Sequence, residues 1–182
     1  MALNKEFDKT LEYGESFEKK AVKDIKRLMG EDLVRSIQKI NYEDNPQKQH
    51  DGIDIEMELK GWPVIIRIQV KSRTRPDHDF AFAVEKRDGE WELKPTYSEW
   101  YMFYLPGKKK PYIFHYIALI LIFNSHYDEL VNKIRMSKEG NEFCFFISPD
   151  QFRIWHTEVG KNKTIMSEFL PLRSQVKSYQ RK

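Results

Sequence analysis

An aspartate, a glutamine and a lysine fall within one short stretch of this chain, residues 52–71 (GIDIEMELKGWPVIIRIQVK), at a spacing that a β-hairpin converts into a cluster. In the first arm Ile53, Ile55, Met57 and Leu59 alternate with Asp54, Glu56, Glu58 and Lys60. In the second, Val64, Ile66, Ile68 and Val70 alternate with Ile65, Arg67, Gln69 and Lys71. Successive side chains on a strand point to opposite faces, so each arm has one apolar and one polar side. Matching the apolar sides sets an odd-numbered residue against an even-numbered one. A four-residue loop at 60–63 meets that condition and puts Asp54 across from Gln69, with Lys71 two residues further on. Opposed Cβ atoms lie about 5 Å apart. A carboxylate, an amide oxygen and an ammonium group therefore converge on one spot, as a metal-dependent phosphodiesterase needs.

The clearest element available to position these groups is a helix over residues 11–29. Phe17, Ala21, Val22, Ile25, Leu28 and Met29 recur at helical spacing, and Gly30 is a C-terminal stop. Projected at 100° per residue, the six occupy an arc of about 140°. Glu18 falls inside that arc and Glu15 near its rim. A carboxylate in an apolar stripe needs a partner, because burying an unpaired charge is costly. A divalent metal at the boundary of core and cleft supplies one; a snorkelling or lysine-paired glutamate at the helix end is the alternative.

Residues 33–40 read as an edge segment of the sheet and 41–50 as a polar loop. Residues 79–86 and 90–94 read as a second hairpin turned by Arg87, Asp88 and Gly89. Residues 99–105 and 112–116 follow as two strands. A helix is expected over 117–135, although 118–123 suits a buried strand equally well. Residues 142–147 look like a last strand, with 151–155 forming another. The final residues, 173–182, are polar and basic, a composition compatible with disorder. No repeat or linker is visible, and the reading is one α/β domain over residues 1–182.

Composition bounds the function. With 182 residues, 40% hydrophobic and 32% charged, the chain reads as an ordinary soluble globular protein. A net charge of +3 permits a polyanionic partner without announcing one. The basic residues are more telling in their distribution: Lys71, Arg73 and Arg75 follow the hairpin, and Lys108, Lys109 and Lys110 stand together. Such a run as the last is usually a solvated surface. The single cysteine, Cys144, rules out an intramolecular disulfide framework and a cysteine-based zinc cluster, and its apolar surroundings suit a buried inert thiol. The N-terminus lacks the apolar stretch of a secretory signal, and the longest apolar run, 112–123, is too short to span a bilayer. A cytoplasmic protein without a membrane partner is expected. His50, in the loop entering the site, is a candidate substrate contact, although a lone loop histidine more often has no such role; the other four histidines show no metal-ligand spacing. Trp62, Trp91, Trp100 and Trp155 suit core or rim packing better than base stacking.

A helix bearing GESFEKK, then HDGIDIEM, then IRIQVKS resembles the PD-(D/E)XK nuclease superfamily, whose members share the restriction-endonuclease-like fold. Asp54 matches the family aspartate, Gln69 and Lys71 match the second half of the motif, and Glu18 matches the helical acid. The spacing from Gly14 to Glu18 is similar to archaeal Holliday junction resolvases, and the glutamine form of the motif to Mrr-type nucleases. The match covers residues 11–75. It implies a central mixed β-sheet flanked by helices, here with extra C-terminal strands. It also implies a magnesium or manganese ion held by Asp54 and Glu18, with the Gln69 side chain or the Val70 carbonyl as a further ligand. Lys71 would orient or deprotonate the attacking water, and hydrolysis would leave a 5′-phosphate. Arg67, Arg73, Arg75, Lys108, Lys109 and Lys110 are the candidates for gripping DNA, although Arg67 could pair with Glu56 or Glu58 instead. A homodimer is the family expectation for cutting both strands. The chain departs from the motif in having neutral Gln69 where a second carboxylate is usual, and Ile53 where proline is common. Glu56 could compensate for the first. The departures leave a second possibility open, an inactive nuclease-like domain that binds nucleic acid or a partner, and a third, a small α/β scaffold whose likeness is coincidental.

Overall fold

In chain order the elements are α1 (Ala2–Met29), β1 (Val34–Lys39), α2 (Pro46–His50), β2 (Ile55–Leu59), β3 (Trp62–Ser72), β4 (Phe80–Arg87), β5 (Glu90–Leu93), β6 (Trp100–Tyr104), β7 (Tyr112–His115), α3 (Tyr116–Ser125), α4 (Tyr127–Val131), β8 (Arg135–Met136), β9 (Phe143–Ile147) and α5 (Pro149–Lys161). This computed structural model describes residues 2–41, 43–73, 79–136 and 142–161, the side chains of 2–12, 49 and 50 excepted. The architecture is mixed α/β with a mixed central sheet flanked by helices. The chain divides into two compact units, residues 1–80 with 94–116, and residues 81–93 with 117–182. The basic tail at 173–182 lies outside the described residues.

The first unit is built on a five-stranded sheet of order β1-β2-β3-β6-β7. Only β3 and β6 run parallel; the other neighbours are antiparallel. Helix α1 covers one face. Its stripe of Phe17, Ala21, Val22, Ile25 and Met29 packs on Ile55, Met57, Ile68, Met102 and Tyr104. Leu28, expected in that stripe, is exposed instead. The helix also begins earlier than residue 11, because residues 2–10 contain neither proline nor glycine and are rich in good helix formers. At its buried rim, the Tyr104 hydroxyl donates to Asp24 Oδ2 at 2.9 Å and Arg27 pairs with the same carboxylate at 2.9 Å. Burial and the Asp24 charge push the Tyr104 hydroxyl far above its ordinary pKa, so it remains a donor.

The hairpin of β2 and β3 turns on Lys60 and Gly61 alone, with Leu59 facing Trp62, rather than on the expected four-residue loop. Gly61 has φ +76, a left-handed conformation that glycine adopts without strain. Proline has no N–H to give a ladder, and β3 bulges at Pro63 and Val64, two residues with no counterpart on β2. Because the excess is even, odd still faces even, and the pairs that follow are Glu58–Ile65, Met57–Ile66, Glu56–Arg67 and Ile55–Ile68. The loop differs, but beyond the bulge the register is the one expected from the hairpin sequence, with odd against even.

The second unit holds a four-stranded sheet of order β5-β4-β9-β8. Asp88 and Gly89, at φ 50 and 93, make the tight turn between β4 and β5. Residues 118–123 are helical, with Leu119, Ile122 and Phe123 buried at i, i+3 and i+4. The single helix expected over 117–135 is broken, since α3 ends at Ser125, α4 is short, and Arg135–Met136 joins the sheet as β8. Residues 151–155 are helical rather than extended. Pro149 suits a first helical position, the Ser148 hydroxyl accepts from Gln151 N–H at 3.2 Å, and Phe152, Trp155 and Val159 are buried at helical spacing. Cys144 is buried and is not in a disulfide, and Trp155 stacks on His126. Among the described residues no helix is long and apolar enough to cross a membrane.

Ile55, fully buried under α1, gives the first prediction. Ile55→Ala lowers unfolding free energy by about 2–5 kcal/mol, whereas exposed Leu33→Ala changes it by less than about 1 kcal/mol. Urea denaturation followed by circular dichroism measures both.

Candidate functional site

Asp54 stands at the mouth of the hairpin, immediately before the last ladder pair, Ile55–Ile68. Its main chain is fixed on both sides: Ile40 N–H donates to its carbonyl at 2.8 Å, and its own N–H donates to Ile68 O at 3.1 Å. The side chain bends along β3, where Oδ2 accepts from Val70 N–H at 2.6 Å. The carboxylate is thus held against the Gln69–Lys71 segment by a backbone bond, as the register requires.

The preceding loop is held from two directions. Helix α2, in what the sequence read as plain loop, supplies Gln47 O to Asp51 N–H and Lys48 O to Ile53 N–H, each at 2.9 Å. From the segment before β6, Tyr97 N–H donates to Asp51 O at 3.1 Å and the buried Ser98 hydroxyl to Gly52 O at 2.7 Å. Gly52 has φ +75, and a Cβ there would lie 2.7 Å from Gln69 Nε2 and 2.9 Å from Thr96 Oγ1. Only glycine lets the Gln69 amide approach this closely. Gln69 is accordingly brought to the loop that carries Asp54, two residues upstream of the carboxylate.

Glu18 lies within the apolar stripe of α1, as expected, and is mostly buried. Its partner is a lysine: Lys39 Nζ is 3.0 Å from Glu18 Oε2 and 3.8 Å from Glu15 Oε1. The lysine-paired alternative is therefore present, yet Glu18 also bears on the site, because its charge acts on Asp54. Burial pushes the Asp54 carboxyl up to about 6; the Val70 N–H bond and the Lys71 charge oppose the rise, Glu18 adds to it, and Lys39 opposes it. Three charged groups, Lys71, Glu18 and Lys39, thus act on the Asp54 carboxyl.

Lys39 was not singled out by residue type. The signal was present, however, in the alternation of β1. Ile37 packs into the core against α1, and Lys39, two residues on, shares its face. A lysine at an apolar position facing a helix with an acid in its own apolar stripe is a readable match.

The candidate DNA contacts fare unevenly. Arg67 is tied down: its N–H donates to Glu99 Oε2 at 2.8 Å, and its guanidinium lies 3.4 Å from Glu99 and 3.8 Å from Glu56. Glu56 also takes Lys48 at 2.8 Å, so neither residue is drawn toward Asp54. Arg73 extends β3 through a 3.1 Å bond from its N–H to Tyr104 O. Lys108, Lys109 and Lys110 are exposed on the β6–β7 connection. Since β3 and β6 are parallel, that connection lies at the end of the sheet where Lys71 emerges. Arg75 and the side chain of His50 fall outside the described residues.

Among the described residues no three histidine, cysteine or acidic side chains group as a metal cage. The donors at hand are two carboxylates, Asp54 and Glu18, with the Gln69 amide and the Val70 carbonyl nearby in sequence. All are hard oxygen donors of the type that suits magnesium or manganese. The raised Asp54 carboxyl, destabilised as an anion by burial and by Glu18, has the electrostatics that an added cation relieves. In donor type these groups suit one divalent ion, although α1, which carries Glu18, packs on the face of β3 that presents Ile68 and Val70 rather than Gln69 and Lys71. No protein-family model matches the chain, and neither a curated protein nor a solved structure matches it.

Asp54 also generates a pH dependence. With its carboxyl raised to about 6, the native state holds a proton that the unfolded chain releases near pH 4. Its contribution to stability is therefore greatest below about pH 4 and falls by about 3 kcal/mol as pH rises through 6. Asp54→Asn keeps an acceptor for Val70 N–H without titrating. In chemical denaturation the variant is expected to be more stable than wild type at pH 8, the difference vanishing toward pH 4; a difference independent of pH overturns this account.

Proposed function

We propose that the chain is a metal-dependent deoxyribonuclease of the PD-(D/E)XK type, with a restriction-endonuclease-like fold in its first unit. The observation that carries the reading is the Asp54 carboxylate, buried at the mouth of the hairpin, bonded to Val70 N–H between Gln69 and Lys71, and within electrostatic reach of Glu18. Support also comes from the five-stranded mixed sheet with α1 across the face that carries Glu18.

Asp54 and Glu18 would hold magnesium or manganese, with the Gln69 or Val70 oxygen completing the protein ligands. Such an ion supplies Lewis acidity toward a phosphate oxygen and toward water. The chain's own groups do the rest. Val70 N–H holds Asp54 Oδ2 and so fixes the orientation of the carboxylate. Lys71, exposed at the end of β3, places an ammonium where negative charge grows on the phosphate, and either orients the attacking water or takes its proton. Lys108, Lys109 and Lys110 add positive charge at the same end of the sheet for the DNA backbone, an affinity that weakens with salt.

A second reading, a nuclease-like domain that binds nucleic acid without cleaving it, draws on two observations: Gln69 stands where a second acid is usual, and Glu18 is occupied by Lys39. One experiment separates the two. The full chain is incubated with plasmid, linear, single-stranded and branched DNA in magnesium, manganese or chelator. Cleavage is expected with metal only, and Asp54→Asn and Lys71→Ala each reduce it about 100-fold or more. Binding in gel shifts with no cleavage of any substrate selects the second reading, and neither binding nor cleavage removes both.

A further inference from the structure

Two features of Lys39 do not follow from the nuclease reading. Its ammonium is largely buried and already occupies the carboxylate that the metal requires, 3.0 Å from Glu18 Oε2. Its charge also favours the Asp54 anion, which that of Glu18 opposes. The backbone leaves it little room to withdraw. Lys39 pairs with Ile55 across the β1–β2 ladder, and the next residue, Ile40, is bonded through its N–H to Asp54 O. An ammonium and a divalent ion sharing one carboxylate repel each other strongly in a site shielded from water. A second acceptor is at hand, however. Glu15, one helical turn from Glu18 and more exposed, has an oxygen 3.8 Å from the same ammonium.

We infer that Lys39 is a resident counter-cation that a divalent metal must displace from Glu18 onto Glu15, so that Lys39 sets the metal affinity of the site. The inference rests on the proposed metal centre. It assigns a role to a residue outside the motif: the ammonium neutralises the buried acids when metal is scarce and raises the metal concentration at which the site fills. Glu15, by receiving the ammonium, lowers the cost of that exchange.

The test reads metal binding, not turnover. Manganese is titrated into the full-length protein, and free ion is followed by electron paramagnetic resonance, with circular dichroism in chelator as the check on folding. Lys39→Met is expected to bind manganese about tenfold more tightly than wild type, because the competing charge is gone. Lys39→Gln, which can still hydrogen-bond Glu18, guards against a folding defect and shifts affinity in the same direction. Glu15→Gln weakens binding a few-fold. Unchanged or weaker binding in both Lys39 variants overturns the inference while leaving the nuclease reading intact. Unchanged binding in Glu15→Gln overturns the exchange onto Glu15. If wild type and the Lys39 variants all fail to bind manganese at millimolar concentration, the metal centre itself falls, and the inference with it.

Discussion

The bond from Val70 N–H to the Asp54 carboxylate ties the candidate site to the hairpin that holds it. At 2.6 Å it replaces a main-chain acceptor with a side-chain one at the point where β2 and β3 part. A backbone donor that would otherwise be orphaned is satisfied, and the carboxylate acquires a fixed orientation in a place where water is scarce. Burial there works against the anion. The chain accepts that opposition at one position and offsets it with three groups from two strands, Lys71 and the Val70 N–H from β3 and Lys39 from β1.

That arrangement depends on parts remote from the carboxylate. The loop carrying it is anchored by α2 on one side and by Tyr97 and Ser98 on the other, and it admits Gln69 only because residue 52 lacks a side chain. Helix α1 contributes twice. Its apolar stripe closes the sheet over Ile55 and Ile68, and the acid set into that stripe meets a lysine set into the matching face of β1. An ion pair in such a place contributes little net stability against an apolar substitute. Its geometry makes better sense as a way of keeping charged groups beside Asp54.

The fold of the first unit was largely legible in the sequence, and for identifiable reasons. Alternation in residues 52–71 fixed which side of each strand faced the core, and together with an even-length connection it selected the pairing of Ile55 with Ile68. Helical spacing in α1 showed both its buried face and the anomalous Glu18. Less legible was everything that relied on local backbone bonds or short runs. Helix α2 has only five residues, too few for periodicity to register. Residues 151–155 contain aromatic and β-branched side chains that favour strands, and tertiary burial of Phe152, Trp155 and Val159 overrode that preference. Lys39 was missed because a lysine near a strand end is ordinarily solvated; only its shared face with Ile37 distinguished it. The partner of Arg67 stayed open between Glu56 and Glu58, and Glu99, contributed from more than thirty residues away, could not be anticipated from the hairpin alone.

The bulge at Pro63 and Val64 has a consequence for how this protein can change. Two unmatched residues leave the sides of β3 where they were; one would exchange them, turning Gln69 and Lys71 inward beneath the helix and Ile68 and Val70 out to solvent. The tip of the hairpin is thus a counter that tolerates only even steps. Drift in length there is quantised, and a single-codon insertion or deletion would invert the chemistry of a strand whose composition had not altered at all.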